Sequence, residues 1–347
     1  MTDTTLPGGL SDLCRQNAIT LHPFDMGRQI RAFEAETFAA LEAGHGTYPW
    51  PFQRKARLAL VGEGTDAEPF VWFLDLPLDE AGHLHPAVRD DLLARLAESH
   101  ARSRQDDDMA DDALSDPLKD SAYGFTPDQE RMAALHARAA LTLGHPPSAY
   151  YEHARLYLDG EHGWEQWAFL GVQGLADIAA RIREDGNTER VAAAIPHLPE
   201  TPFTALARQL EHTTVPEPVA TAILERVHAA DAEAAAMGLR ALSAAEEPAP
   251  RRAWLHERLA DVDPETDVPL LAALAARAWE DLAEPAIAAP FLEALAHGPG
   301  GREGFVNTVR ELLALEALRA HLHPVLVDDQ RGEAVREAVG ELFGFSS

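Results

Sequence analysis

From about residue 200 to the C-terminus, apolar helix-forming segments recur in pairs punctuated by proline, and this recurrence restricts the possible folds more than any other feature of the chain. Residues 203–211 pair with 218–228, 232–242 with 250–260, and 268–279 with 285–296, each pair reading as two helices joined by a short turn. Residues 304–318 and 333–343 read as a looser fourth pair. Pro216 and Pro218, Pro248 and Pro250, then Pro285 mark the turns, with Pro324 as the related residue of the last pair. The spacing drifts, which helical hairpin repeats tolerate and a heptad does not. An alanine- and leucine-rich hairpin cannot bury its apolar face alone, so neighbours must stack and share one core. The expectation is a HEAT-like α-solenoid over 200–347, and the competing one is an irregular helical bundle with accidental spacing.

Residues 125–199 read as a helical connecting region. Thr126-Pro127-Asp128-Gln129 starts a helix that Gly144-His145-Pro146-Pro147 ends. Residues 147–158 form the next, and 164–182 a third, with Trp167, Leu170, Gly171, Gly174, Leu175 and Ile178 in one stripe. A glycine inside a helix costs up to about 1 kcal/mol, so Gly171 and Gly174 imply a neighbour packed too close for a side chain. Before them, 101–124 lose the apolar period and gain Asp106-Asp107-Asp108 and Asp111-Asp112, an acidic linker or loop. That run lacks the glycine and spaced glutamate of a calcium-binding loop.

Residues 1–100 read as a small α+β domain. Residues 10–16 make a short helix with Ser11 or Asp12 as capping candidates, and 19–24 a strand. Asp25-Met26-Gly27 is a turn in which glycine supplies positive φ. Residues 29–33 are either the returning strand or the start of a helix running to Glu42, where Ala43-Gly44-His45-Gly46 stops it. Residues 56–61 and 70–76 are strands around the turn-rich Gly62-Glu63-Gly64-Thr65-Asp66. Trp72 and Leu74 share one strand face and Val71, Phe73 and Asp75 the other, so helices must cover one set. The amphipathic segment 86–100, with Val88, Leu92, Leu93 and Leu96 on one side, is suited to that place. Short connections leave no room for crossover helices, so the sheet is antiparallel, with helices on one face.

Between these elements lies Thr47-Tyr48-Pro49-Trp50-Pro51-Phe52-Gln53-Arg54-Lys55-Ala56-Arg57. Two prolines stiffen the presentation of large aromatics, and arginine follows, a composition typical of binding hot spots. Tyr48, Trp50, Phe52, Arg54, Lys55 and Arg57 are therefore the candidate interaction residues. The competing account has Trp50 and Phe52 capping the sheet core, with Arg54 and Arg57 guarding an edge strand. His83 and His85, beside Asp79 and Glu80, are weak metal candidates; His321 and His323 have the same spacing, and i, i+2 rings share a side only in an extended segment. They motivate the alternative of a metal-dependent enzyme or regulator.

Phe24-Asp25-Met26-Gly27-Arg28, then Tyr48 through Ala56, then Val71-Trp72-Phe73-Leu74 and Leu76-Pro77-Leu78-Asp79-Glu80 together resemble an uncharacterised bacterial family, domain of unknown function 3549. The resemblance spans nearly the whole chain. It implies no activity, cofactor or catalytic residue.

Composition narrows the function classes. The 57 acidic against 29 basic side chains leave a net charge of −28, which opposes phosphate backbones and anionic membranes, so nucleic acid is not an expected ligand. A single cysteine, Cys14, excludes an intrachain disulfide and any zinc cluster built on cysteines, and fits a reducing cytoplasm. No apolar run approaches the roughly 20 residues of a membrane helix, and the start carries no signal-like segment. No nucleophile elbow, Walker loop, dinucleotide fingerprint or metalloprotease helix occurs. The expectation is a cytoplasmic protein without a cofactor that holds a protein partner and performs no catalysis.

Overall fold

A computed structural model describes residues 8–64, 69–103, 121–161 and 163–344, with the backbone alone over 96–103. The expected acidic linker lies mostly outside these residues. The chain divides into two compact units, Met1–Asp128 and Gln129–Ser347. No helix among the described residues is long and apolar enough to cross a membrane.

The first unit is built on a four-stranded antiparallel sheet, order β2-β1-β3-β4, from β1 (Ile19–Asp25), β2 (Arg31–Ala32), β3 (Lys55–Gly64) and β4 (Phe70–Pro77). Residues 31–32 settle the open choice in favour of a returning strand, because Phe24 pairs with Ala32 and Phe33 N–H donates to the Pro23 carbonyl at 3.0 Å. The helices are α1 (Leu10–Gln16), α2 (Ala35–Glu42) and α3 (Pro86–Ser103). Leu10 and Cys14 of α1, Phe38 and Leu41 of α2, and Val88 and Leu92 of α3 join Leu58, Leu60, Trp72, Leu74 and Leu76 in one core. The Trp72 and Leu74 face is thus the covered one, as strand alternation requires.

Three local expectations are corrected. The glycine-rich turn is partly strand: Gly62 pairs with Phe70, whose ring occupies the space a Cβ at 62 would need. Gly27 serves by lacking a side chain, not by positive φ: a Cβ there would lie 3.1 Å from Phe52 Cβ and 3.2 Å from Asp25 Oδ1. Neither Ser11 nor Asp12 caps α1. Gly9 is the N-cap, and the buried Glu42 carboxylate accepts the Leu10 N–H at 2.6 Å and the Ser11 N–H at 3.0 Å. Burial raises the Glu42 pKa, and burial, helped by Glu42, pushes the Cys14 thiol up to about 12.

The second unit runs through α4 (Gln129–Thr142), α5 (Tyr151–Leu158), a 3-10 segment Trp164–Phe169, α6 (Val172–Ala180), α7 (Asn187–Ala194), α8 (Glu200–Leu210), α9 (Glu217–Val227), α10 (Ala232–Leu242) and α11 (Pro248–Ala260). It continues with α12 (Val268–Ala276), a 3-10 segment Trp279–Ala283, α13 (Pro285–His297), α14 (Gly301–Leu313), α15 (Glu316–Leu326) and α16 (Glu333–Leu342). Proline occupies the first turn of α9, α11, α12 and α13, where no intrahelical N–H is needed. Alternate helices pack on one another: α4 on α6, α6 on α8, α8 on α10 and α10 on α12 in one layer, and α5 on α7 and α7 on α9 in the other; further on, α11 packs on α13. This alternation begins at α4, well before residue 200.

Several helix boundaries differ from expectation. Residues 164–182 are not one helix: Leu170 (φ −79, ψ 107) and Gly171 are extended, separating the 3-10 segment from α6. Gly174 has the close neighbour expected of it, since a Cβ would lie 2.7 Å from the Tyr150 carbonyl oxygen. The segment expected at 147–158 becomes helical only at Tyr151, because the Ser148 N–H and hydroxyl both donate to Asp177 Oδ2. The helix expected at 268–279 ends at Ala276, where Arg277 turns to donate to Glu211 at 3.0 Å. The expected fourth pair is three helices, α14 to α16, gathered on α13, and Pro324 lies inside α15, not in a turn.

Buried charge fastens the layers. Arg251 of α11 and Asp281 of the second 3-10 segment, 2% and 0% exposed, form a two-pronged pair at 2.6 and 2.7 Å. Arg252 reaches the same carboxylate at 2.8 Å. Arg251 also donates to the Leu242 and Ser243 carbonyls that end α10.

Candidate interaction site

The motifs read from the sequence converge at one end of the sheet. Asp25, at the end of β1, is fully buried, and its carboxylate accepts the Tyr48 hydroxyl at 2.5 Å and the N–H groups of Gly27 and Gln29 at 3.0 and 3.4 Å. Arg28 donates from Nε to the Pro51 carbonyl at 3.1 Å. The third motif closes the arrangement: Tyr48 N–H donates to the Gly82 carbonyl at 2.8 Å, and Leu78 N–H to the Arg54 carbonyl at 2.9 Å. Burial raises the pKa of Asp25 and lifts that of Tyr48 well above its usual value, while Tyr48, the loop N–H groups and Arg31 hold Asp25 down. Both groups are enclosed, so the pair fastens two loops together and presents nothing to a solute.

The six candidate residues part company around this anchor. Tyr48 is buried, and its ring stands edge-on to Trp50 and Phe33 at 6.0 and 6.4 Å between centroids. Trp50 is half-buried, with the Arg31 guanidinium 4.8 Å above its ring. Phe52 is half-buried beneath Arg57, at 5.3 Å, and Arg57 also covers Phe125 at 5.1 Å. Arg57 and Asp75 are cross-strand partners in register, and Asp75 Oδ2 accepts from Lys55 at 2.8 Å. Only Arg54 is exposed; its guanidinium is 4.0 Å from Glu80. Gln53 and Arg54 have φ of 52° and 58°, so Phe52 and Lys55 bond reciprocally across a tight turn built from two left-handed residues, neither of them glycine.

Around His83 and His85 the geometry is that of a turn. Asp79 Oδ1 accepts the N–H groups of Ala81 and His83, at 2.9 and 2.8 Å, which lowers the Asp79 pKa, and His85 is exposed. Among the described residues no three His, Cys, Asp or Glu side chains are grouped to hold a metal ion. His321 and His323 stand on α15, where i, i+2 positions diverge.

Two features escaped sequence reasoning. Glu211, just past α8, receives Arg240 at 2.7 Å and Arg277 at 3.0 Å, joining the ends of α8, α10 and α12. Burial would raise its pKa, but the two guanidinium groups bring it down to about 2. Neighbouring His212 is brought down to about 3 by burial, reinforced by Arg277, Arg131 and Arg138. The partners lie too far apart in sequence to be paired by inspection. The second feature is a cleft of about 370 Å³ between α11 and α13, where Arg252 and His256 face Glu284 and Ile287.

Neither a curated protein nor a solved structure matches the chain. Its sequence from residue 8 to residue 343 does match the family described as protein of unknown function DUF3549, and with the three motifs meeting around Asp25 the chain belongs to that family.

Proposed function

We propose that the protein is a non-enzymatic scaffold of the cytoplasm, and that its helical unit is an α-solenoid of HEAT-like hairpins whose surface holds a protein partner. The observation that carries this is the alternate packing of α4, α6, α8, α10 and α12 in one series and of α5, α7 and α9 in another. Stacked hairpins spread their residues over a long surface in place of a single deep pocket, a geometry suited to extended protein ligands. The titratable groups support the same view. The carboxylates with raised pKa, Asp25 and Glu42, are enclosed and spend their oxygens on backbone and hydroxyl donors, and Glu211 is neutralised by two arginines. None faces an open cleft in which a substrate would meet it.

The test is affinity capture with the full chain from its native lysate at several salt concentrations. A partner recovered reproducibly in fixed stoichiometry is the expected result. Recovery of none under any condition overturns the scaffold function.

A further inference from the structure

Large apolar side chains stand exposed at few places among the described residues, and Tyr150, Leu156, Trp167 and Phe169 bring four of them within one short stretch of the second unit. Phe169 is 75% exposed and Tyr150 58%. Tyr150, His153 and Tyr157 follow one another at i, i+3 and i+7 along one face of α5. Between that face and the first 3-10 segment runs a groove of about 240 Å³ lined by His153, Tyr157, Gln166 and Phe169. The groove is firmly built. Tyr157 donates its hydroxyl to the Trp164 carbonyl at 2.8 Å, Trp164 stacks on His197 at 5.5 Å, and the Tyr150 ring sits over Gly171, where a Cβ would lie 3.5 Å away. A monomer gains nothing from holding Phe169 in water, and an exposed aromatic patch beside a preformed groove is the usual form of a binding surface.

The charge around the groove selects the occupant. Glu152 is engaged by Arg155 and Asp159 by Arg190, whereas Glu161 and Glu165 form no ion pair among the described residues. Glu165 is exposed on the 3-10 segment, next to groove-lining Gln166, and acts electrostatically on the Tyr157 hydroxyl. Aromatic faces and unneutralised carboxylates both attract organic cations, and the net charge of −28 draws them in from a distance.

We propose that this face binds a basic segment of a protein partner, with an apolar side chain over Phe169 and Tyr150 and lysine or arginine against the rings and the carboxylate of Glu165. The assignment rests on the scaffold function and names the chemistry of its ligand. Specificity comes from the groove, and the rate of encounter from the field.

Fluorescence anisotropy of a labelled peptide of Lys-Leu-Pro repeats, titrated with the full chain at about 0.1 M salt, tests it against a Glu-Leu-Pro counterpart. The lysine peptide is expected to bind and the glutamate peptide not. Phe169→Ala should weaken binding by about tenfold or more, and Glu165→Lys should do the same while admitting the glutamate peptide. Val327→Ala, at an exposed apolar site elsewhere, should change nothing. Equal affinity for both peptides, or lysine-peptide binding that both groove variants leave intact, overturns the proposal. Capture of a stoichiometric partner by both groove variants also overturns it and leaves the scaffold function standing. Specific peptide binding without any captured partner does the reverse.

Discussion

Asp25 is fully buried, and three donors and the nearby Arg31 oppose the burial that raises its pKa. Tyr48→Phe removes the shortest of those bonds and should cost about 1.5–3 kcal/mol in urea unfolding at neutral pH. The sign with pH follows from burial. A carboxyl whose folded pKa exceeds its unfolded value favours the fold below that unfolded value and loses the contribution as pH rises through the folded one. The penalty of Tyr48→Phe should therefore shrink on acidification, as Asp25 takes up a proton. Glu211 and His212 behave in the opposite sense. His212 falls from 6.5 unfolded to about 3 folded, and Glu211 from 4.5 to about 2, so the stability they contribute is present at neutral pH and lost as pH falls through those windows. Glu211→Gln should cost about 3–5 kcal/mol at neutral pH by leaving Arg240 and Arg277 without their counter-ion. It should also flatten the fall in melting temperature below pH 4.5, measured by calorimetry.

Residues of both kinds show where sequence reasoning reaches its limit. The opposed faces of Trp72 and Asp75 were legible because a strand alternates with a fixed period of two. The role of Tyr48 was half legible: a stiff aromatic was foreseen, but its hydroxyl finds a carboxylate 23 positions earlier, and only the folded backbone brings them together. For Glu42, 31 and 32 positions from its donors, local pattern held no clue to its task of capping α1.

At the scale of elements, helical glycines report where two rods touch. A Cβ at Gly238 of α10 would lie 2.7 Å from both methyls of Val227 in α9. Gly→Ala within a helix ordinarily stabilises by up to about 1 kcal/mol, so steric and propensity effects oppose one another here. Gly238→Ala should destabilise by about 1–3 kcal/mol in the wild type and by distinctly less in a Val227→Ala background, a coupling that a double-mutant cycle of unfolding free energies will reveal. Helix existence was readable from apolar spacing, and prolines marked the starts of α9, α11 and α13. Helix ends were not, because tertiary partners set them. The Ser148 bonds to Asp177 delay α5, and the pull of Glu211 on Arg277 cuts α12 short.

Across the whole molecule, 57 acidic side chains repel one another against 29 basic ones. Salt screens that repulsion, so the melting temperature should rise between about 0.05 and 0.5 M sodium chloride, with thermal unfolding followed by circular dichroism as the measurement. A fall would mean that ion pairs such as that of Arg208 with Glu130 outweigh the repulsion. The division into α+β and all-α parts was legible from the change of apolar period, whereas the alternate packing of α4 to α7 was not, because their lengths and turns lack the regular proline marks of the later pairs.

In the proposed solenoid each helix leans chiefly on its neighbours, so the unit need not come apart all at once; it can unzip from an end. The clasp of Arg251 and Arg252 on Asp281 is then a stop in the zipper's track, since separation cannot pass it without stranding two guanidinium groups and an enclosed carboxylate. Amide protons near this stop should be the last in their layer to trade with solvent, and those of outlying rods should trade through smaller, earlier openings.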